Sequence, residues 1–494
     1  MSSRGQVALI SVVAVLSLGV YLATSAAVLR VGFPLDDAWI HQVYARNLAW
    51  RGEWAFVPGQ VSAGSTAPLW SVLLAAGYVL RLGPYVWTFA LGGLMLAGLA
   101  CLGYLMWETL CPERQHWAVS AGVFLALEWH LAWAAVSGME TLALAGLALL
   151  VMVWLGRGWQ RWWLLGLVIA IALWIRPDGL TLFGPAALAI AIAAQGGWRG
   201  RWRAWAELAV GAALPLGLYL LFNRALAGAW WPNTFYAKQA EYALLREAPF
   251  WRRFVAEASL PLVGAGALLL PGMFLALGRA VQRRQWLPLV GLLWSLGYLG
   301  LYAWRLPVTY QHGRYVIPAM PVLFLWGLAG MAQTAPFAAP QMWRRVVGKG
   351  WLASVALTLL AFWLVGARVY ARDVALIETE MVATAQWVNA NLPQEGVIAA
   401  HDIGALGYFA FGDRSEQRLL DLAGLVSPEV VPFIRDEQRL QAYLDAHCAE
   451  YLVTFPDWYP YLASRGHLVY TSGGAISPLL GGTNMAVYRW NCQR

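Results

Sequence analysis

About eleven apolar stretches of membrane-spanning length, near 7–29, 86–107, 117–137, 140–156, 162–176, 178–195, 205–222, 259–278, 286–304, 316–334 and 350–369, dictate what this chain can become. In hydrocarbon a spanning segment must satisfy its own backbone hydrogen bonds, so the chain reads as a polytopic α-helical membrane protein. Composition agrees: 60% of the 494 residues are hydrophobic and 12% charged, more apolar surface than a soluble core uses. The first stretch is too long for a signal h-region and lacks a cleavage site, so it reads as a retained span.

Charge sets the expected topology. Short basic loops fall at Arg157 and Arg161, at Arg199, Arg201 and Arg203, at Arg279, Arg283 and Arg284, and at Arg344, Arg345 and Lys349. Each lies two spans from the next, so all four share one side, which the positive-inside rule makes cytoplasmic. Arg4 joins them only if the apolar run 66–83 stays in the outer interface, beside an amphipathic helix over 37–51, within a long first outer loop. The alternative is a twelfth span with a flipped N-terminus. The first register places a multi-pass chain in the cytoplasmic membrane, with its N-terminus cytoplasmic and its tail outside.

The tail differs in kind. Residues 371–494 carry 8 basic and 14 acidic side chains, whereas residues 1–370 carry 26 and 12. Helical periodicity over 377–392 gives way to β-like runs at 396–400, 418–422, 451–455 and 485–490, with helices between. The expected organisation is a transmembrane module, 1–370, followed by a small extracytoplasmic α/β domain, 371–494. The basic excess of the module suits topology and anionic membrane lipids, not nucleic acid. Cys101, Cys111, Cys448 and Cys492 form no metal pattern; the last two either pair outside the cell or remain thiols.

Chemistry points first to Asp36 and Asp37, two adjacent carboxylates just past the first span. Such a pair is costly in hydrocarbon and marks an interface or a wet cavity. The topology brings Glu140 to the same face. Carboxylates so placed serve as a general base or as oxygen ligands for a divalent cation. Asp37 is also a good cap for the helix it begins, which leaves Asp36 as the catalytic candidate with Asp37 and Glu140 as acidic partners; Glu140 equally suits a helix N-terminus. Lys238, His312 and Arg314 reach that face too, where cations neutralise a phosphate leaving group or anchor the interface. Asp178 after Pro177 reads as a break between helices, Glu128 and His130 as a polar contact inside a span or a substrate path, and His401-Asp402 as turn chemistry before a glycine.

The order of several short motifs adds a resemblance. They are the acidic pair, Tyr44-Ala45-Arg46-Asn47-Leu48-Ala49, Gly64-Ser65-Thr66-Ala67-Pro68-Leu69-Trp70, Ser137-Gly138-Met139-Glu140-Thr141, Arg176-Pro177-Asp178-Gly179, Pro232-Asn233-Thr234-Phe235-Tyr236-Ala237-Lys238 and Arg314-Tyr315. In this order they resemble the GT-C superfamily of integral membrane glycosyltransferases. The likeness is to the family 39 and protein mannosyltransferase type, and most of all to bacterial members similar to mycobacterial terminal arabinofuranosyltransferases. Asp402-Ile403-Gly404-Ala405-Leu406-Gly407-Tyr408 and Asp421-Leu422-Ala423-Gly424-Leu425 in the tail look like the same group. The prototype has Asp-Glu where this chain has Asp36-Asp37, and Lys/His-Pro-Pro-Leu where it has Thr66-Ala67-Pro68-Leu69, which argues against a protein mannosyltransferase.

The resemblance implies a base at Asp36 and a site or metal residue at Glu140. It implies transfer of a sugar, with inversion, from a polyprenyl phosphate donor to an acceptor hydroxyl on a glycan, lipid or protein. No cofactor is assigned, and a divalent cation between Asp36 and Glu140 is compatible with the spacing without being implied by it. Tyr44, Arg46, Thr66, Arg176, Asp178, Asn233, Tyr236 and Tyr315 are the expected cleft residues. The rivals are a polyprenyl-lipid transporter, for which inverted repeats and broken helices are not visible, and a non-catalytic membrane scaffold.

Overall fold

Helices occupy all eleven expected apolar stretches in the computed structural model, which describes residues 2–334, 341–393, 395–411 and 417–491. Among the described residues seven helical runs are long and apolar enough to cross a membrane, including Ser3–Val28, Pro84–Leu110, Gly197–Ala227 and Met342–Asn391. Pro112–Leu127 and Trp129–Val136, bent by 55°, make an eighth when taken together. Thr141–Gly156, Trp162–Ile175 and Pro177–Ala193 are apolar but shorter. Pro68–Val79 has only 12 residues, about 18 Å of helix, and packs on the helix Asp36–Arg51.

The bend has a local cause. Glu128 Oε2 accepts from the amides of His130 and Leu131 at 3.0 and 3.2 Å, and its Oε1 lies 2.9 Å from His130 Nδ1. The two polar residues of that span are therefore a helix cap and its partner, which ends one half and starts the next.

Small residues set the closest helix contacts, as they do where no hydrophobic effect drives association. A Cβ on Gly272 would lie 2.1 Å from the carbonyl of Gly327, and one on Gly330 only 1.8 Å from that of Gly272. These glycines let Ala265–Gln282 lie directly on Met320–Thr334, whose residues form the buried centre of the bundle.

The membrane body passes into the tail without a loop. Met342–Ile377 runs through a π-helical turn, Glu378–Val382, into Ala383–Asn391, so position 371 falls inside continuous helix. Past a small hairpin, β1 Ala55–Val57 and β2 Gln60–Val61, the strands are β3 Gly396–Ala400, β4 Gln417–Asp421, β5 Tyr451–Thr454, β6 His467–Thr471 and β7 Ala486–Arg489. The tail strands form one mixed sheet in the order β4-β3-β5-β7-β6, parallel around β3 and antiparallel beyond β5. Glu380 of the π turn ties this sheet to the helix by accepting from Ser472, from Asn484 Nδ2 at 2.9 Å and from the Met485 amide at 2.8 Å. Cys492 lies outside the described residues, and so does its pairing with Cys448.

Candidate active site

Two cavities meet at three side chains. The first, about 350 Å³, is walled by Leu180, Leu301, Leu306, Trp231 and Phe235 and carries Thr66, Glu140, Arg176 and Asp178 at its polar end. The second, about 700 Å³, lies against the tail domain and is lined by charged and aromatic residues including Glu241, His401, Asp402 and Trp458. Asp37, Lys238 and Arg314 belong to both.

Asp37 is the second residue of its helix, and its side chain turns away from that helix's own amides. Its Oδ2 accepts from Lys238 Nζ at 3.0 Å and from Arg314. Tyr315 OH accepts from both cations, at 3.1 and 3.0 Å. Burial alone would push the Asp37 carboxyl up, but Lys238 and Arg314 hold it far below the ordinary carboxylate range, so it stays ionised. Arg314 Nε and Nη1 are buried with no hydrogen-bond partner among the described residues, an uncommon cost that a ligand anion would relieve.

Asp36, the residue expected to be the base, also lines the second cavity, but its carboxylate is held on the tail. Its two oxygens accept from the amides of Gly404 and Ala405, each at 2.7 Å. These begin the short tail helix Gly404–Phe409, whose last carbonyls, Gly407 and Tyr408, accept from Arg46 at 3.3 and 2.7 Å. One membrane-module helix thus holds both ends of a tail helix, acid on its amides and base on its carbonyls, each end met by the charge its dipole favours. A Cβ on Gly404 would meet the Asp36 carbonyl at 2.1 Å. Gly404→Ala is accordingly expected to cost roughly 1–3 kcal/mol, the usual penalty of overpacking; a thermal midpoint equal to wild type would contradict this docking.

Burial is also the largest influence on the acids at the join. It pushes Asp36 up to about 6 against the pull of the Gly404 and Ala405 amides, and Asp402 up to about 8, with His401 opposing and Asp36 and Asp37 adding to the rise. A carboxyl raised by folding binds more protons folded than unfolded, so its contribution to stability is full at low pH and is lost as pH rises through the raised value. Melting temperature should therefore fall between about pH 4 and pH 8, and Asp402→Asn should flatten that slope.

No curated protein matches the chain by sequence. Residues 371–488 match a family described as a domain of unknown function, DUF8728. In structure the chain is similar to ArnT from Cupriavidus metallidurans bound to undecaprenyl phosphate, at 16% identity and a TM-score of 0.59, over 99% of this chain and 98% of that one. It is also similar to the apo oligosaccharyltransferase of Archaeoglobus fulgidus, at 10% identity and a TM-score of 0.60, over 92% and 70% of the two chains. A third is the mycobacterial arabinofuranosyltransferase AftD, R1389S variant, at 16% identity and 0.51, over 100% of this chain and 42% of that one. The fold is GT-C.

Within this GT-C fold the other expected residues divide by location. Thr66, Glu140, Arg176, Asp178 and Tyr315 line the first cavity. Arg176 bridges Asp178 at 3.1 Å and the Tyr302 hydroxyl at 2.7 Å, and lies 3.6 Å from Glu140, so Asp178 belongs to a buried polar chain as well as to a helix break. His312 is set aside: its Nε2 lies 2.8 Å from Asp373, and it lines neither cavity. Tyr44 donates to or accepts from Ser62 at 2.7 Å and accepts from the Gly64 amide, and is part of the scaffold. The Asn233 amide donates to Ala63, and Tyr236 faces outward; neither lines a cavity.

The donor set does not fit a metal at Asp36 and Glu140. Both Asp36 oxygens are taken by amides, Asp37 and Glu140 already face Lys238, Arg314 and Arg176, and among the described residues no three acidic, His or Cys side chains cluster. His41 is a residue the reading of the chain missed; its Nε2 lies 3.5 Å from Glu140. It stands four positions after Asp37 on one helix, and that spacing was the available signal.

Proposed function

We propose that the protein transfers a sugar from a polyprenyl phosphate carrier to an acceptor hydroxyl. The observation that carries this reading is the junction of an apolar cavity with a more polar one at Asp37, Lys238 and Arg314. The prenyl chain suits the apolar walls, and its phosphate suits Lys238 and the open donors of Arg314. The structurally similar ArnT binds undecaprenyl phosphate, which supports this placement.

In the resting site Asp37 is the anion on those cations. An arriving phosphate shares them and releases Asp37 toward the second cavity. The acceptor oxygen then attacks the anomeric carbon as Asp37 takes its proton, and the carbon–oxygen bond to phosphate breaks with its electron pair leaving on the lipid phosphate. One displacement inverts the anomeric centre. Asp36 acts as a positioning residue, through the helix it clamps.

The basic loops favour a cytoplasmic N-terminus and a tail outside the cell, where lipid-borne donors replace nucleotide sugars. The test is incubation of the purified full chain with a panel of polyprenyl phosphate sugars, following release of free lipid phosphate. Release that requires Asp37 supports the reading, whereas lipid translocation without any release would replace it with a transporter.

A further inference from the structure

The second cavity is larger than the first and more polar. Its outer wall comes from the tail domain, and that wall has the parts of a saccharide site. Trp458 is 49% exposed at the cavity, set edge-on to His401 with ring centroids 5.0 Å apart. His401 itself is fixed between Tyr459 OH, 2.7 Å from Nδ1, and Glu241, 3.5 Å from Nε2. Next to it Asp402 lines the same cavity, and its buried Oδ2 has no hydrogen-bond partner among the described residues. The clamp of Asp36 and Arg46 on Gly404–Phe409 explains why this loop faces inward: the amides that Asp36 holds begin two residues past Asp402.

We propose that the tail domain supplies the acceptor subsite, in which a saccharide lays one ring face on Trp458, bonds its hydroxyls to Asp402, and presents its reacting hydroxyl to Asp37. An indole face beside closely spaced donors and acceptors matches a ring that is apolar on its C–H face and polar at its rim. A lipid tail would dehydrate Arg435 and leave the Asp402 Oδ2 without a partner. The assignment rests on the sugar-transfer reading and adds the class of the acceptor and the residues that select it. A domain described only as of unknown function thereby gains a task.

Saturation-transfer NMR on the full chain in nanodiscs tests this, with neutral linear pyranose and furanose trisaccharides as probes and undecaprenyl phosphate binding measured in parallel. At least one trisaccharide should receive saturation on its ring protons. Trp458→Ala should weaken that binding tenfold or more, Trp458→Phe should restore most of it, and Asp402→Asn should weaken it without changing undecaprenyl phosphate affinity. If undecaprenyl phosphate binds but no trisaccharide does, or if Trp458→Ala binds as wild type, the subsite is refuted while the donor reading stands. A wild-type protein that binds no undecaprenyl phosphate refutes the donor reading itself.

Discussion

Asp37→Asn is expected to lower sugar transfer by about 10²–10⁴-fold, the range a positioned general base supplies, while the protein stays folded. The substitution keeps the shape and removes both the proton acceptor and the anion that occupies Lys238 and Arg314 in the resting site. Undecaprenyl phosphate should then bind more tightly, because no internal carboxylate competes for the same cations. Slow turnover with tighter lipid phosphate binding is a signature that simple misfolding does not give. Asp36→Asn should act differently, loosening the tail domain through the Gly404 and Ala405 amides. If Asp37→Asn turned over normally and Asp36→Asn were inactive with the domain still docked, the base would have to be returned to Asp36.

Arg314→Gln is the second large effect. A preorganised donor aimed at developing charge is worth roughly 10²–10³ in turnover, and the Arg314 fork carries two buried nitrogens with no hydrogen-bond partner among the described residues. Lysine at the same position should rescue poorly, since a point charge cannot offer two parallel donors to a phosphate. Turnover with a polyprenyl phosphate sugar and binding of the bare lipid phosphate should both fall; unchanged affinity for the lipid phosphate would remove Arg314 from the donor site.

How far these residues could be read in advance depended on the distance over which their partners act. Apolar runs announce helices locally, and the bundle was legible for that reason. Lys238 and Arg314 stood out because an ionised side chain near hydrocarbon is conspicuous. Which of two adjacent aspartates meets Lys238 and Arg314 is another matter. It is decided by amides 368 and 369 positions away in sequence, and no local pattern carries that information. The kink at Glu128 was hidden by the unbroken apolar character around it. Strands β3, β4, β5 and β7 lie close to their expected positions, whereas the edge strand β6, with most of its side chains exposed, offers no alternation to detect. Trp458 was one of 30 tryptophans, and nothing in its neighbourhood marked it as facing a cavity.

The clamp on Gly404–Phe409 has a mechanical consequence. Asp36 is fastened to the tail while its neighbour in sequence takes the acceptor's proton in the proposed transfer, so a tilt of the tail is geared through one peptide unit to the placement of that carboxylate. The tail works as a jig. Cutting it away would leave every ionisable group of the membrane body present yet out of true.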